Sequence, residues 1–406
     1  MRNAHRKVYE TMQEYYRRTR AQICLDAIDH NTAEIRRVTT PGAALMAVVK
    51  ADAYGHGDEQ VAQRLEQAGV DWFAVSNLAE ALELRKAGVG KPILILGYTP
   101  PECAAELAYN DITQSVYCTA YAKRLSECAT ADGVTVNAHL KIDTGMSRIG
   151  FVYHDTTEDA ATVEDAAAVI ALPGIYCDGI FTHFACADMA GRGEVYTRLQ
   201  YDLFLDIIGR LGQRGITFRW RHCCNSAGIL TYPEMHLDMV RAGIILYGLY
   251  PSADVPRNVA LQPVMELKTV VSMVKELPAG TPLSYGGTFV SDKPVTVATV
   301  PIGYADGYPR ALSNKAYMLT EDGSIARVIG NVCMDQCMLD VTGIPGIAEG
   351  VPVTVFGKAG ERSVSADFLA EKAGMINYEI VCGLSRRVPR VYTENGRPVG
   401  ATDYLR

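Results

Sequence analysis

From about residue 46 onward the chain repeats one pattern of apolar and polar positions. A short β-branched run is followed by a turn, then by a stretch whose apolar residues recur every three to four positions. The pattern predicts strands over 46–52, 71–76, 92–98, 112–117, 136–143, 174–184, 219–226 and 238–246, with helical segments such as 60–68, 78–87, 160–171 and 195–211 between them. Strands that alternate with helices imply parallel βαβ units, and eight units over roughly 200–250 residues fit a closed (β/α)8 TIM barrel. An open doubly wound sheet is the alternative. Its G-x-G-x-x-G turn after the first strand, with an acidic residue some 20 positions later, is missing.

Past about residue 260 the pattern changes to short alternating runs over 265–274, 295–300, 316–319, 326–329, 338–341 and 353–356, separated by Gly, Pro and Asp turns. This predicts a C-terminal, mostly-β domain. Only 366–372 and its neighbours read as helical there, with Ser365 as the N-cap. The expected division is an N-terminal extension and strand over 1–26 that packs on the β domain, a barrel over 27–260 and a β domain over 261–406. The pattern alone does not decide whether 22–25, just before the first barrel helix near 28–36, pairs with that β domain.

Composition narrows the class. The 406 residues are 48% hydrophobic and 21% charged, as in a globular chain with a sizeable core. No apolar run approaches the roughly 20 residues of a membrane helix. A net charge of −7, spread without blocks, argues against nucleic acid as a partner. The eleven cysteines are odd in number and lack paired metal-ligand spacing. Cys177, Cys333 and Cys337 sit in apolar runs and read as small buried hydrophobes, which points to a reducing cytoplasm and to no metal site. Arg2, His5, Arg6, Lys7, Glu10, Glu14, Arg17, Arg18 and Arg20 leave no apolar stretch for a secretory signal. Met12, Tyr15 and Tyr16 form a weak helical stripe that suits a docked helix or a frayed extension equally.

In a barrel, polar groups at the carboxyl ends of the strands line the active site. The first predicted strand delivers Lys50 after the apolar approach Leu45–Val49, four residues before Tyr54. It is either a solvated strand end or a partly desolvated lysine whose neutral amine suits Schiff-base chemistry. The fifth strand runs into Lys141, Asp143 and Arg148, the sixth into His183, the seventh into Asn225 and Ser226, and the eighth into Arg241, Gly243 and Ile244. Taken singly, Ser226 suits a helix N-cap, His183 a satisfied core histidine and Arg241 a surface ion pair. Ser226 and the amides near Gly243 also suit a phosphate, which barrels often bind after their last two strands.

The segments AVVKADAYGHG, KIDTGMSRIG, THFACAD, CNSAG, RAGIILYGLYP, SYGGTF, VPIGYADGYPR, GNVCMDQCMLDV and INYEIVCGLSRRVPR occur in this order. Through them the chain resembles the bacterial alanine racemases, barrel-type pyridoxal 5'-phosphate (PLP) enzymes of fold III, over nearly everything beyond residue 20. The resemblance implies Lys50 as the Schiff-base lysine. It implies Tyr54, Ser226, Gly243, Ile244 and Tyr378 as contacts to the cofactor phosphate, and Arg241, oriented by His183, facing the pyridine nitrogen. Arg148 would serve the phenolic oxygen and the substrate carboxylate, with Asn225 beside the cofactor and Lys141 either carbamylated, as in many relatives, or an unmodified strand-end lysine. Tyr285 would be the second base, and Tyr304 and Met334 would shape the substrate entrance, all three reaching the other subunit of a homodimer with shared sites.

The residue types suit that implication. Racemisation removes a proton from one face of the α-carbon and returns one to the other, so it needs two opposed bases, here Lys50 and Tyr285. PLP supplies the electron sink. The implied role is interconversion of L- and D-alanine in the cytoplasm, supplying D-alanine for peptidoglycan. A serine or broader-specificity racemase is the nearest alternative, and a fold-III amino-acid decarboxylase a more distant one that would need a different acid at Tyr285. A lone-barrel PLP carrier would lack SYGGTF and GNVCMDQCMLDV. One departure stands out: Asn331 occupies a position where the family commonly has arginine or another bulky residue.

Overall fold

The computed structural model describes residues 14–406. The described residues fold as two compact units, one of Ile28–Ala53 and Asp58–Gln262, the other of residues 14–27, Tyr54–Gly57 and Pro263–Arg406. Strands are numbered in chain order from β1 (Arg20–Cys24).

The first unit is the barrel. Its strands are β2 (Ala44–Val48), β3 (Trp72–Val75), β4 (Ile93–Ile95), β5 (Ile112–Val116), β6 (Val136–Asp143), β8 (Ile175–Phe181), β9 (Trp220–His222) and β10 (Met239–Ala242), with the short β7 (Phe151–Val152) paired off β6. All pair in parallel in the order β10-β2-β3-β4-β5-β6-β8-β9. The ring is completed by the Asp238 amide donating to Arg221 O at 3.1 Å and the Arg241 amide to Cys224 O at 3.0 Å. Strands β2 to β5 are wholly buried, as expected of parallel strands covered by helices. The interior is filled by rings: Trp72 lies 5.2 Å from His139 and 5.7 Å from Trp220, and Phe181 stacks on His222 at 4.9 Å.

Several predicted strands are shorter than their apolar runs. β2 ends at Val48, so Lys50 is not a strand residue. β10 ends at Ala242, because Gly243 breaks it and Ile244–Tyr247 turns as a 3-10 helix. Apolar length measures burial there, not extension.

The second unit is mostly β. It comprises β11 (Met265–Val270), β12 (Met273–Leu277), the hairpin of β13 (Pro282–Leu283) and β14 (Phe289–Val290), β15 (Val295–Val300), β16 (Tyr317–Thr320), β17 (Ile325–Ile329), β18 (Cys337–Asp340), β19 (Pro352–Ala359), β20 (Arg362–Val364), β21 (Arg390–Glu394) and β22 (Arg397–Thr402). One sheet joins them in the order β12-β15-β18-β17-β16-β19-β11-β1-β21-β22, with β20 on β19 and the hairpin separate. β1 pairs antiparallel with β11 and parallel with β21. Tyr15 packs on Val391 and Arg18 bonds Asp403 at 2.6 Å. Met12 lies outside the described residues. The run 265–274 is two strands, and the terminal pair β21–β22 is not visible in the periodicity. The helix Ala366–Ala373 is capped by Ser365, which accepts from Phe368 N at 3.0 Å.

All eleven cysteines are free. Cys337 is buried, but Cys177 and Cys333 are only half-buried, contrary to the expectation from their apolar runs. Among the described residues no helix is long and apolar enough to cross a membrane.

Candidate active site

Lys50 opens a turn with an unusual backbone. Ala51, Asp52, Ala53 and Tyr54 have φ of 54°, 56°, 51° and 54°, a full left-handed turn without glycine. At about 1–2 kcal/mol per residue this conformation costs on the order of 4–8 kcal/mol, so the surroundings must impose it. Ala51 N donates to Glu80 Oε1 at 2.8 Å, and Asp58 N to Asp52 Oδ1 at 3.1 Å. Four residues on, Tyr54–Gly57 groups with the β unit, where Arg390 Nε donates to Gly55 O at 2.9 Å. A Cβ on Gly55 would meet Val381 O at 2.2 Å, so only glycine fits this approach. Tyr54 is buried with its ring 6.1 Å from that of Tyr378, on the helix Asn377–Cys382. Burial raises its phenol well above the usual range, with Tyr378 and Cys382 adding to the effect.

At the carboxyl ends of the barrel strands four cations gather: Lys50, Lys141, Arg148 and Arg241. Lys141 is buried on β6, its ammonium 5.1 Å over the Phe181 ring. Burial, then Arg148 and Arg241, push its pKa down to about 7, opposed by Asp143. Asp143 also shapes the loop that carries Arg148, since its Oδ1 accepts from the amides of Gly145 and Ser147, both at 3.0 Å.

Arg241 lies inside β10 and is buried, so the surface ion pair is excluded. Its Nη2 donates to Thr182 O at 2.8 Å, Cys223 O at 2.9 Å and His183 Nδ1 at 3.3 Å, while Nη1 donates to His222 Nδ1 at 2.8 Å. Arginine only donates. His222 therefore accepts at Nδ1 and donates from Nε2 to His139 Nδ1 at 3.0 Å, which leaves the His139 proton on Nε2, 3.5 Å from Asp178. One guanidinium fixes the tautomers of both rings. Burial first, then the Arg241 charge, holds His222 and His183 far below the usual imidazole range, so both are neutral.

His222 and His139 escape a reading of the sequence because an inward-facing histidine on an apolar strand has the pattern of ordinary core. The alternation Arg221-His222-Cys223, which places His222 on the barrel side, is the available signal.

Asn225 is the N-cap of the helix Ser226–Thr231, accepting from Gly228 N at 2.9 Å. This role belongs to Asn225 and not to Ser226, because only the Asn225 side chain reaches that amide. Ser226 Oγ instead accepts from Gly243 N at 2.9 Å, tying the ends of β9 and β10 together just before Ile244.

A family model described as "Alanine racemase, N-terminal domain" matches residues 23–251, and "Alanine racemase, C-terminal domain" matches 264–392. This chain belongs to the alanine racemase family. It is 46% identical over 376 residues to an alanine racemase of Desulfosudis oleivorans, covering 92% of this chain and 96% of the relative. The solved alanine racemase of Clostridium difficile 630 superposes with a TM-score of 0.89 at 40% identity, covering 96% and 99%. A histidine racemase from Leuconostoc mesenteroides subsp. sake also superposes, with a TM-score of 0.82 at 30% identity, covering 93% and 98%.

In this member of the alanine racemase family, Tyr285, Tyr304 and Met334 all fall in the β unit, whereas the four cations fall in the barrel unit. The three are 70%, 44% and 53% exposed. Tyr304 N donates to Cys333 O at 3.1 Å and Ala305 N to Met334 O at 3.0 Å, so Tyr304 and Met334 are carried on two stitched loops.

Proposed function

We propose that this protein interconverts L-alanine and D-alanine with PLP as cofactor, using Lys50 and Tyr285 as opposed proton-transfer groups, and that two copies of the chain share their active sites. The reading is carried by the gathering of Lys50, Lys141, Arg148 and Arg241 with Asp143 as the nearby acid. That donor set fits the cofactor, whose phosphate and phenolate are anionic, together with a substrate carboxylate. Ser226 Oγ accepts from Gly243, which leaves its own proton for an anion.

When bound, PLP supplies the electron sink that acidifies the substrate α-proton. Lys50 would hold the cofactor's aldehyde carbon, and Tyr54, Tyr378, Ser226, Gly243 and Ile244 its phosphate. Arg241 would donate to the ring nitrogen and leave it unprotonated, which favours prompt return of the proton over decarboxylation or transamination. Arg148 would hold the phenolic oxygen and the substrate carboxylate, with Asn225 beside the cofactor. Lys50 and Tyr285 would serve opposite faces of the α-carbon, each taking the proton of one enantiomer while the protonated form of the other returns a proton to the opposite face. A carbamate on Lys141 would convert one of four crowded cations into an anion that clamps Arg148. The depressed pKa supports this, since only a neutral amine adds CO2.

Exposure of Tyr285, Tyr304 and Met334 supports a homodimer in which they reach the partner's barrel. Eleven free cysteines support a cytoplasmic enzyme, and D-alanine a role in supplying peptidoglycan. A broader-specificity racemase is the second reading, favoured by the histidine racemase on the same fold. Incubation of the PLP-loaded protein with L-alanine, L-serine and L-histidine, followed by chiral chromatography, separates the two. Alanine is expected to exceed both others in kcat/KM by about tenfold or more. Equal turnover of serine or histidine would replace the first reading by the second.

A further inference from the structure

Tyr285 sits on a contorted turn of the β unit. Ser284 before it has φ 65° and ψ −177°, a region that is essentially glycine's alone, and Gly286 and Gly287 after it have φ 72° and 56°. With the side chain largely exposed, the position of the phenol depends on what holds this backbone.

Two hydrogen bonds converge on it from residue 331. Ser284 Oγ donates to Asn331 O at 2.6 Å, and Asn331 Nδ2 donates back to Tyr285 O at 2.7 Å. The 331 loop is fixed in turn: Val332 N donates to Ser313 Oγ at 2.9 Å, and Gly330 N to Asn314 Oδ1 at 2.6 Å. A Cβ on Gly330 would lie 2.8 Å from Ser284 Cβ, so the two loops pack as closely as glycine allows.

We infer that Asn331 is a positioning residue for Tyr285, its side-chain amide holding the phenol-bearing turn in register for proton transfer. The inference rests on the racemase reading with Tyr285 as one of the two bases. A residue without a short, rigid amide would leave the Tyr285 carbonyl without its side-chain donor from residue 331. Asn331 itself touches no reacting atom; it acts through the backbone of its neighbour.

The test compares wild-type holoenzyme with Asn331→Asp, which keeps the shape but turns a donor toward the Tyr285 carbonyl into an acceptor, and with Asn331→Ala. Circular dichroism and the cofactor's visible band check that each variant folds and loads PLP. Racemisation is then measured from L-alanine and from D-alanine, each with hydrogen or deuterium at the α-carbon. The expected result is a fall in kcat of about tenfold in Asn331→Asp and less in Asn331→Ala, with little change in KM. The isotope effect should rise for the enantiomer that Tyr285 deprotonates and fall for the other, because only one of two proton transfers has slowed. Unchanged kcat, or isotope effects that move equally for both enantiomers, would overturn the inference. Wild-type protein that racemises neither enantiomer would instead overturn the functional reading on which it rests.

Discussion

The two groups of candidate residues are held in opposite ways. Arg241 is 3% exposed and bonded on both terminal nitrogens, whereas Tyr285 is 70% exposed and held only through its backbone. A buried guanidinium or ammonium is heavily destabilised by desolvation unless every donor is matched, so the barrel end is rigid by necessity. An exposed phenol has no such requirement and takes its position from its loop. The difference suits the two proposed tasks: the barrel end would grip the cofactor, and the β unit would present the proton-transfer group.

Substitutions on each side sharpen that contrast. Lys50→Ala should abolish the cofactor's visible band together with racemisation, and retention of the band would place the attachment elsewhere. Tyr285→Phe should lower kcat by on the order of 10²–10⁴ while leaving the band intact, since general acid–base groups contribute about that much. Loss of the band would show that Tyr285 belongs with the grip and not with proton transfer.

Arg241→Met should act through the fold. It strands the carbonyls of Thr182 and Cys223 and the acceptor nitrogens of two neutral histidines, at a cost of about 3–5 kcal/mol, read as a lowered denaturant midpoint. A stability within about 1 kcal/mol of wild type, roughly the size of one hydrogen bond, would mean that the network is incidental.

Lys141 gives the smallest effect. Its pKa falls from an ordinary 10.5 to about 7 on folding, so between those values the unfolded chain binds a proton that the folded one does not. The destabilisation from this group is therefore complete below about 7 and is relieved as pH rises from there towards 10.5. In CO2-free buffer Lys141→Met should flatten the dependence of Tm on pH across that window. An unchanged slope would assign it to other groups.

How much of this is legible in the sequence follows from the same contrast. The barrel strands and the residues at their ends are readable because parallel strands carry unbroken apolar runs that stop where chemistry begins. The predicted stops at 52 and 246 lie beyond the observed strand ends at Val48 and Ala242, because a left-handed turn and a 3-10 turn follow without the extended backbone. His222 is illegible because its role lies in which atom faces Arg241, and composition carries no tautomers. The family's motifs contain Tyr285 and Asn331, but they do not reveal the hydrogen bond joining them, which spans 46 positions of sequence.

Whether the chain inverts alanine at all is decided by incubating the PLP-loaded protein with L-alanine in heavy water, followed by chiral separation and mass analysis of the product. Lys50 and Tyr285 acting as opposed proton-transfer groups should yield D-alanine carrying one deuterium at the α-carbon. No D-enantiomer and no α-deuterium in the recovered alanine would contradict that assignment.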